Sequence, residues 1–444
     1  MLDQHEKTAI AAHRFGLGAR PGDLERIRQD PEQWLVKQLL IPHYRSRPPS
    51  SAELMRALYD FSKAQKAFKN TMADKPENPA RQLYIEQSAA TVMEAVNSQN
   101  PLSWRLLDFF SNHFSVSAQG NRMRVLAPSL EREAIVPHQI GHFEDMLLAV
   151  SQHPAMLVYL DNERSIGPNS RTGKQRKRGL NENLAREILE LHTLGVSGGY
   201  TLNDIQELAK AITGWSITRA ADKRQGFKYR ANGHEPGART VLGKSYHQKG
   251  VAQGEAILKD LARHPATARH ISFKLARHFI SDIPPEALVS ALSDTWNKTR
   301  GNLHAVMTTL IHHPEAWQPE FKKYKTPREF FISSLRVANV KELPAERVMN
   351  LLNHLGQKPF AAGSPAGYDD TADAWNGSGA LLKRIDWINQ MSLRFKSANF
   401  SPRELLDHYF GPLTSAKTRR WVMGAESREQ SAALFLLSPE FLRR

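Results

Sequence analysis

The sequence of 444 residues carries 60 basic against 45 acidic side chains, a formal net charge of +15, with 41% hydrophobic and 24% charged residues. That is the composition of a folded chain long enough for two or three packing units, which excludes disorder; the lack of cysteine excludes disulfides, thiolate metal sites and cysteine nucleophiles. The positive surplus concentrates anions such as nucleic acid, anionic polysaccharide or a phospholipid surface without choosing among them, and no zinc-finger spacing, RNP-like strand or basic zipper is present.

The amino-terminal MLDQHEKTAIAAHRFG is charged and lacks an apolar centre, so as written the chain is expected in the cytoplasm, or exported if a leader has been removed. No run of roughly 18 apolar residues predicts a membrane span. Helical spacing of apolar residues dominates thereafter: LERIRQDPEQWLVKQLL from 24, AELMRALYDFSKAQKAF from 52, QLYIEQSAATVMEAV from 82, HFEDMLLAVSQ from 142, LNDIQELAKAITGW from 202 and GEAILKDLARH from 254. A recurrent break, polar residue then proline, follows apolar helix in SQHP, ARHP, IHHP and LLSP, and places His153, His264 and His313 at helix junctions. Between Gly226 and Tyr246, Gly, Pro and Asn punctuate short β-prone pieces, which predicts a small hairpin or loop insert. The expected fold is mainly α: a compact multi-helix body with an amino-terminal part over 1–216, an insert over 217–250 and a carboxy-terminal part over 251–444.

Chemistry concentrates in RGLNENLAREILELHTLG, 178–195. At about 100° per residue, Glu182, Asn183, Arg186, Glu187 and Glu190 share one side, while Leu184, Ile188 and Leu191 define the buried one. His192 falls between Ile188 and Ala185, which predicts a core histidine hydrogen-bonded to a neighbouring helix. A helix-borne metal pair needs ligands three or four apart; Glu187 and Glu190 stand five and two residues from His192, so a metal is unsupported at this helix and the metal requirement stays open. The ridge reads either as a solvated face of Glu182–Arg186–Glu190 pairs, or as an acid/base site in which two close carboxyls raise one pKa. Just upstream, Arg171, Lys174, Arg176, Lys177 and Arg178 form a basic loop that would steer anions toward it.

Several segments together are distinctive: HRFGLGARPG at 13, FFSNHFSVS at 109, HPAMLVYLDN at 153, LNENLAREILELHTLGVSGGYTLNDIQELAKAITGW at 180, HEPGARTVLGK at 234, RHPATARHISFKLARHFISD at 263 and SPAGYDDTADAWNGSGALLKR at 364. In this order they resemble the DUF1800 family across nearly the whole chain. The resemblance implies a largely helical architecture and a bacterial protein, and supplies no reaction. This chain has Ser111 where the family's pattern has an aromatic before the Asn112–His113 pair.

The polar groups of these motifs, His113, Asp161, Asn162, the 181–190 cluster and His234, suit convergence on one cleft. The first functional expectation is an acid/base hydrolase or transferase of an anionic polymer or glycan. Glu187 would be its base or nucleophile and Glu190 or Glu182 the partner; Asn181, Asn183, Arg186, Asp161, Asn162, His113 and His234 would bind substrate. A glycosidase would need its carboxyls about 5–5.5 or about 6.5–9.5 Å apart. The second is a non-catalytic module that binds a polyanion or acidic partner, and the third a metal-dependent enzyme. No cofactor signature is legible, since no phosphate-binding P-loop of the form G-x-x-x-x-G-K-[ST] occurs.

Overall fold

The computed structural model describes residues 2–45, 47–69, 75–176, 179–218, 222, 226–396 and 402–444. Helices begin where the sequence supplies side-chain acceptors for their free N–H groups. Ser50 with Glu53, Thr201 with Asp204 and Thr326 with Glu329 form reciprocal capping boxes ahead of the helices Ser51–Phe68, Leu202–Ala211 and Pro327–Val337. The His-Pro junctions work the same way with an imidazole: Nδ1 of His153, His264 and His313 accepts from the backbone N–H two residues on, and the proline fills the first helical position. Asp30 splits the first predicted segment into Asp23–Ile27 and Pro31–Val36 by capping the second piece.

The few strands form two antiparallel pairs, Trp215–Ile217 with Phe227–Tyr229 and Arg239–Val241 with Lys244–Tyr246. The first pair reaches back to Trp215, two residues ahead of the predicted insert, because Trp215 is fully buried there against the helical body. Apolar faces of the helices merge into one core that runs from Ile10 to Leu442. Among the described residues, no helix is long and apolar enough to cross a membrane.

Part of the positive charge lies inside. Arg336 donates to the carbonyls of Gly18, Val96 and Ser98 at 2.7, 3.0 and 3.1 Å and sits 3.2 Å from Asp23. Arg105 donates to the Gly16 carbonyl at 2.8 Å and to Glu329 at 2.7 Å. These guanidiniums cross-link distant segments through orphan backbone acceptors, so the net charge is not a measure of surface potential alone.

Among the described residues three stretches wind as π-turns, Ala11–Phe15, Glu131–Ile135 and Ile188–His192. Each admits one residue more than an α-turn, and such bulges often accompany functional sites. The fixed helical period assumed for 178–195 therefore fails after Ile188.

Candidate functional site

A cavity of about 220 Å³ opens between the helices Ala80–Asn97, Pro101–His113 and Pro265–Phe279, beneath a strap formed by residues 357–370. The strap is tied down along its length. Tyr84 donates to the Pro359 carbonyl at 2.5 Å, Ala118 N–H to Phe360 at 2.7 Å and Ser117 to Ala362 at 2.6 Å. The Asn112 amide both donates to the Tyr368 carbonyl and accepts from its N–H, each at 2.8 Å. This close approach requires glycine at 367, where φ is +85° and a Cβ would stand 2.5 Å from the Asn112 carbonyl oxygen. Gly367→Ala should cost about 1–3 kcal/mol in local strain and speed hydrogen exchange across 364–370; exchange as slow as in the parent would show that the strap tolerates the side chain.

Four residues apart on the helix Pro265–Phe279, and hence on one face, Lys274 and His278 both line the cavity. His278 Nδ1 lies 3.0 Å from Asp370 Oδ2 of the strap. Since a carboxylate only accepts, the ring proton belongs on Nδ1, and Nε2 keeps a lone pair with no hydrogen-bond partner in the protein. Burial lowers the His278 pKa, and Asp370 acts against this. Burial would raise Asp370 itself, yet His278 and the Lys323 ammonium, 3.2 Å away, hold it well below the usual carboxylate range.

Lys274 Nζ stands 2.9 Å from His113 Nδ1. His113 is fixed from behind: its Nε2 is 3.2 Å from the carbonyl of His192, a helix-end oxygen with no helical partner, so Nε2 donates and Nδ1 accepts. Among the described residues no carboxylate pairs with Lys274. Burial, with help from Arg277 and against Asp370, brings its pKa down to about 8. The surrounding imidazoles stay neutral: burial and Lys274 lower His113 well below its ordinary value, His192 to about 3 and His270 to about 4.

At another wall, Glu131 enters from a π-turn and accepts from the Ser111 hydroxyl, while Arg328 lies 2.6 Å from Asp108. The serine that departs from the family's aromatic pattern thus serves as the donor to a buried carboxyl.

Of the residues singled out from sequence that lie among the described residues, His113 alone lines this cavity. The carboxylate ridge lies elsewhere on a half-exposed face, with Arg186 3.4 Å from Glu182 and 3.2 Å from Glu190. Glu187 sits beside it with a pKa raised by burial and by Glu190, partly offset by Arg186. Asn181 Oδ1 accepts from the N–H of Asn183, which is exposed. Asp161 is outward, in the left-handed region at φ 55°, and pairs with Arg164 at 3.4 Å. Asn162 is fully buried and its amide donates to the carbonyls of Ile212 and Trp215 at 3.2 and 3.0 Å, which occupies both its protons. His234 Nδ1 donates to the Thr213 carbonyl at 3.1 Å. The basic segment begins as a short helix, Arg171–Arg176, with Arg171 and Lys174 exposed; the side chain of Arg176 and the whole of Lys177 and Arg178 lie outside the described residues. His192 is a core residue, but both its ring nitrogens lack the hydrogen bond expected of them. The five-residue π-turn carries it beside the rings of Phe114 and His113.

The residues that reasoning from sequence missed, Lys274, His278 and Asp370, stand in two of the motifs quoted above. The four-residue spacing in KLARH was the available signal for the first two; nothing local signals Asp370. Among the described residues no three His, Asp or Glu are placed to hold a metal ion.

Fold and cavity together define a large helical protein built around an internal polar site. The chain belongs to the family described as "Protein of unknown function (DUF1800)", whose model matches residues 10–443. No curated protein and no solved structure matches it.

Proposed function

We propose that the chain is an acid/base enzyme, a hydrolase or transferase of an anionic, oxygen-rich substrate, with His278 and Lys274 at its centre in place of the ridge at 182–190. The observation that carries this reading is His278, a cavity-lining residue whose ring is held at Nδ1 by Asp370 and whose buried Nε2 has no partner among the described residues. A carboxylate behind an imidazole fixes the tautomer and leaves a basic nitrogen on the far side, the arrangement of a general base. Burial favours neutral His278, while Lys274, at about 8, remains largely protonated at pH 7. Base and acid are then in complementary states at one pH. His278 takes the proton of a water or attacking hydroxyl, Lys274 gives one to the leaving oxygen, and Arg277 offsets the substrate's charge.

The test is turnover of nitrophenyl esters, phosphates and glycosides that carry a carboxylate, by the parent chain, His278→Gln and Glu187→Gln. His278→Gln is expected to lose at least about a hundredfold and Glu187→Gln to keep most activity; the reverse result returns the centre to the ridge. A non-catalytic polyanion-binding role rests on Arg171 and Lys174, which are exposed and make no ion pair among the described residues. Its mark would be absent turnover together with polyanion binding that falls steeply with salt.

A further inference from the structure

The cavity holds polar groups that proton transfer at His278 and Lys274 does not use. Ser88 and Glu131 line it, and Ser88 Oγ and Glu131 Oε2 are buried with no hydrogen-bond partner among the described residues. Leaving such an atom unmatched costs about 1–3 kcal/mol, and a polar group of a ligand in the cavity would match it. Oε2 of Glu131 calls for a donor, and burial, which raises its pKa against the pull of Arg328 and Ser111, moves the carboxyl toward the form that donates as well as accepts. A serine hydroxyl does both too. The complementary group is an alcohol, which also donates and accepts; a bare carboxylate or phosphate would only accept.

Cations without carboxylate partners line the same cavity. Arg277 lies 4.5 Å from the Phe273 ring with its Nε on the Asp282 carbonyl at 3.1 Å, leaving its remaining N–H groups for a ligand. Lys358 rests 5.6 Å from the Tyr84 ring. Together they call for an anionic group on a ligand that also carries hydroxyls. The volume, about 220 Å³, equals about seven bulk waters at roughly 30 Å³ each. It is below the roughly 300 Å³ at which sites for drug-sized ligands begin. One sugar-sized unit is the scale.

We propose, building on the acid/base reading of this cavity, that the substrate unit is a hexuronic acid, free or at the end of a chain, with its carboxylate at Arg277 and Lys358 and its hydroxyls on Ser88 and Glu131. The experiment is calorimetric titration of the full chain with glucuronate, a short oligouronate, glucose and glutarate. Glucuronate or the oligouronate should bind at least tenfold more tightly than both glucose, which lacks the charge, and glutarate, which lacks the hydroxyls. The arm that binds distinguishes a free acid from a chain end. Equal affinity for glutarate, or for glucose, overturns the proposal.

Glu131→Leu should reduce the preference for the uronate over glutarate about tenfold and Ser88→Ala about threefold, while Glu131→Gln, still donor and acceptor, should retain it. If Glu131→Leu fails to fold, Ser88→Ala decides, and an unchanged preference there overturns the assignment. Nitrophenyl turnover read in parallel separates the two claims. Activity without uronate preference removes only the substrate assignment; uronate preference with no dependence of turnover on His278 removes only the acid/base reading.

Discussion

Glu329→Gln is expected to destabilise the protein by about 3–5 kcal/mol, the usual result of removing one partner from a buried ionic cluster. Oε1 of Glu329 lies 2.7 Å from Arg105 Nη1 and 2.8 Å from Arg444 Nη2, and Oε2 accepts from the Thr326 N–H at 2.9 Å. All three charged side chains are buried. Burial alone would raise the carboxyl's pKa, but Arg444 and Arg105 outweigh it and hold Glu329 well below the ordinary carboxylate range. A group depressed in this way contributes fully above the pKa it has in the unfolded chain, and the contribution is lost as pH falls through the folded value. The defect should accordingly be present at pH 7 and shrink in strong acid. It should also reach the site, because Arg444 Nη1 donates to the His278 carbonyl at 2.6 Å. A denaturant midpoint unchanged from the parent would mean that the two guanidiniums find other acceptors.

The helices, the junction histidines and the hairpin region were legible because their causes are local: apolar spacing, a cap three residues from its partner, a proline at the first turn. The cavity was legible only in part. Lys274 and His278 share a helix, so their proximity follows from a spacing of four. His113 meets Lys274 across 161 residues and Asp370 meets His278 across 92, and no pattern along the chain encodes either contact. The ridge at 182–190 attracted notice because its charges are contiguous in sequence; in space, Arg186 pairs with two of its carboxylates. Contiguity favours solvated faces, whereas cavities collect single polar residues from several elements. The π-turns were hidden for a related reason, since an inserted helical residue leaves the pattern on either side intact and changes only the phase between them.

That difference in phase matters for the chemistry. His192 ends the π-turn Ile188–His192 with its carbonyl free, and that oxygen sets the tautomer of His113, which in turn presents its lone pair to Lys274. Glu131, on the π-turn Glu131–Ile135, brings a carboxyl to a cavity wall. Two helical irregularities thus supply polar atoms to a site that regular helices would line with side chains on one fixed period.

Lys274→Met should make the protein more stable and less active at once. Burial lowers the Lys274 pKa from 10.5 to about 8, so the folded chain binds this proton less tightly than the unfolded one. The sign follows from linkage: the cost of the buried charge is complete below pH 8, declines between about 8 and 10.5, and is gone above that. At about 1.4 kcal/mol per pKa unit the cost near neutrality is about 3 kcal/mol. Methionine removes it but strands His113 Nδ1, which returns about 1 kcal/mol. A net gain of about 2 kcal/mol at pH 7 is expected, falling toward zero near pH 10, measured by denaturant unfolding across that range. Turnover should drop by about 10²–10⁴ because the proton donor is gone, and the loss of parental activity above pH 8 should disappear from whatever rate remains. A variant less stable than the parent at pH 7 would show that the ammonium is held by favourable contacts and is no poised acid.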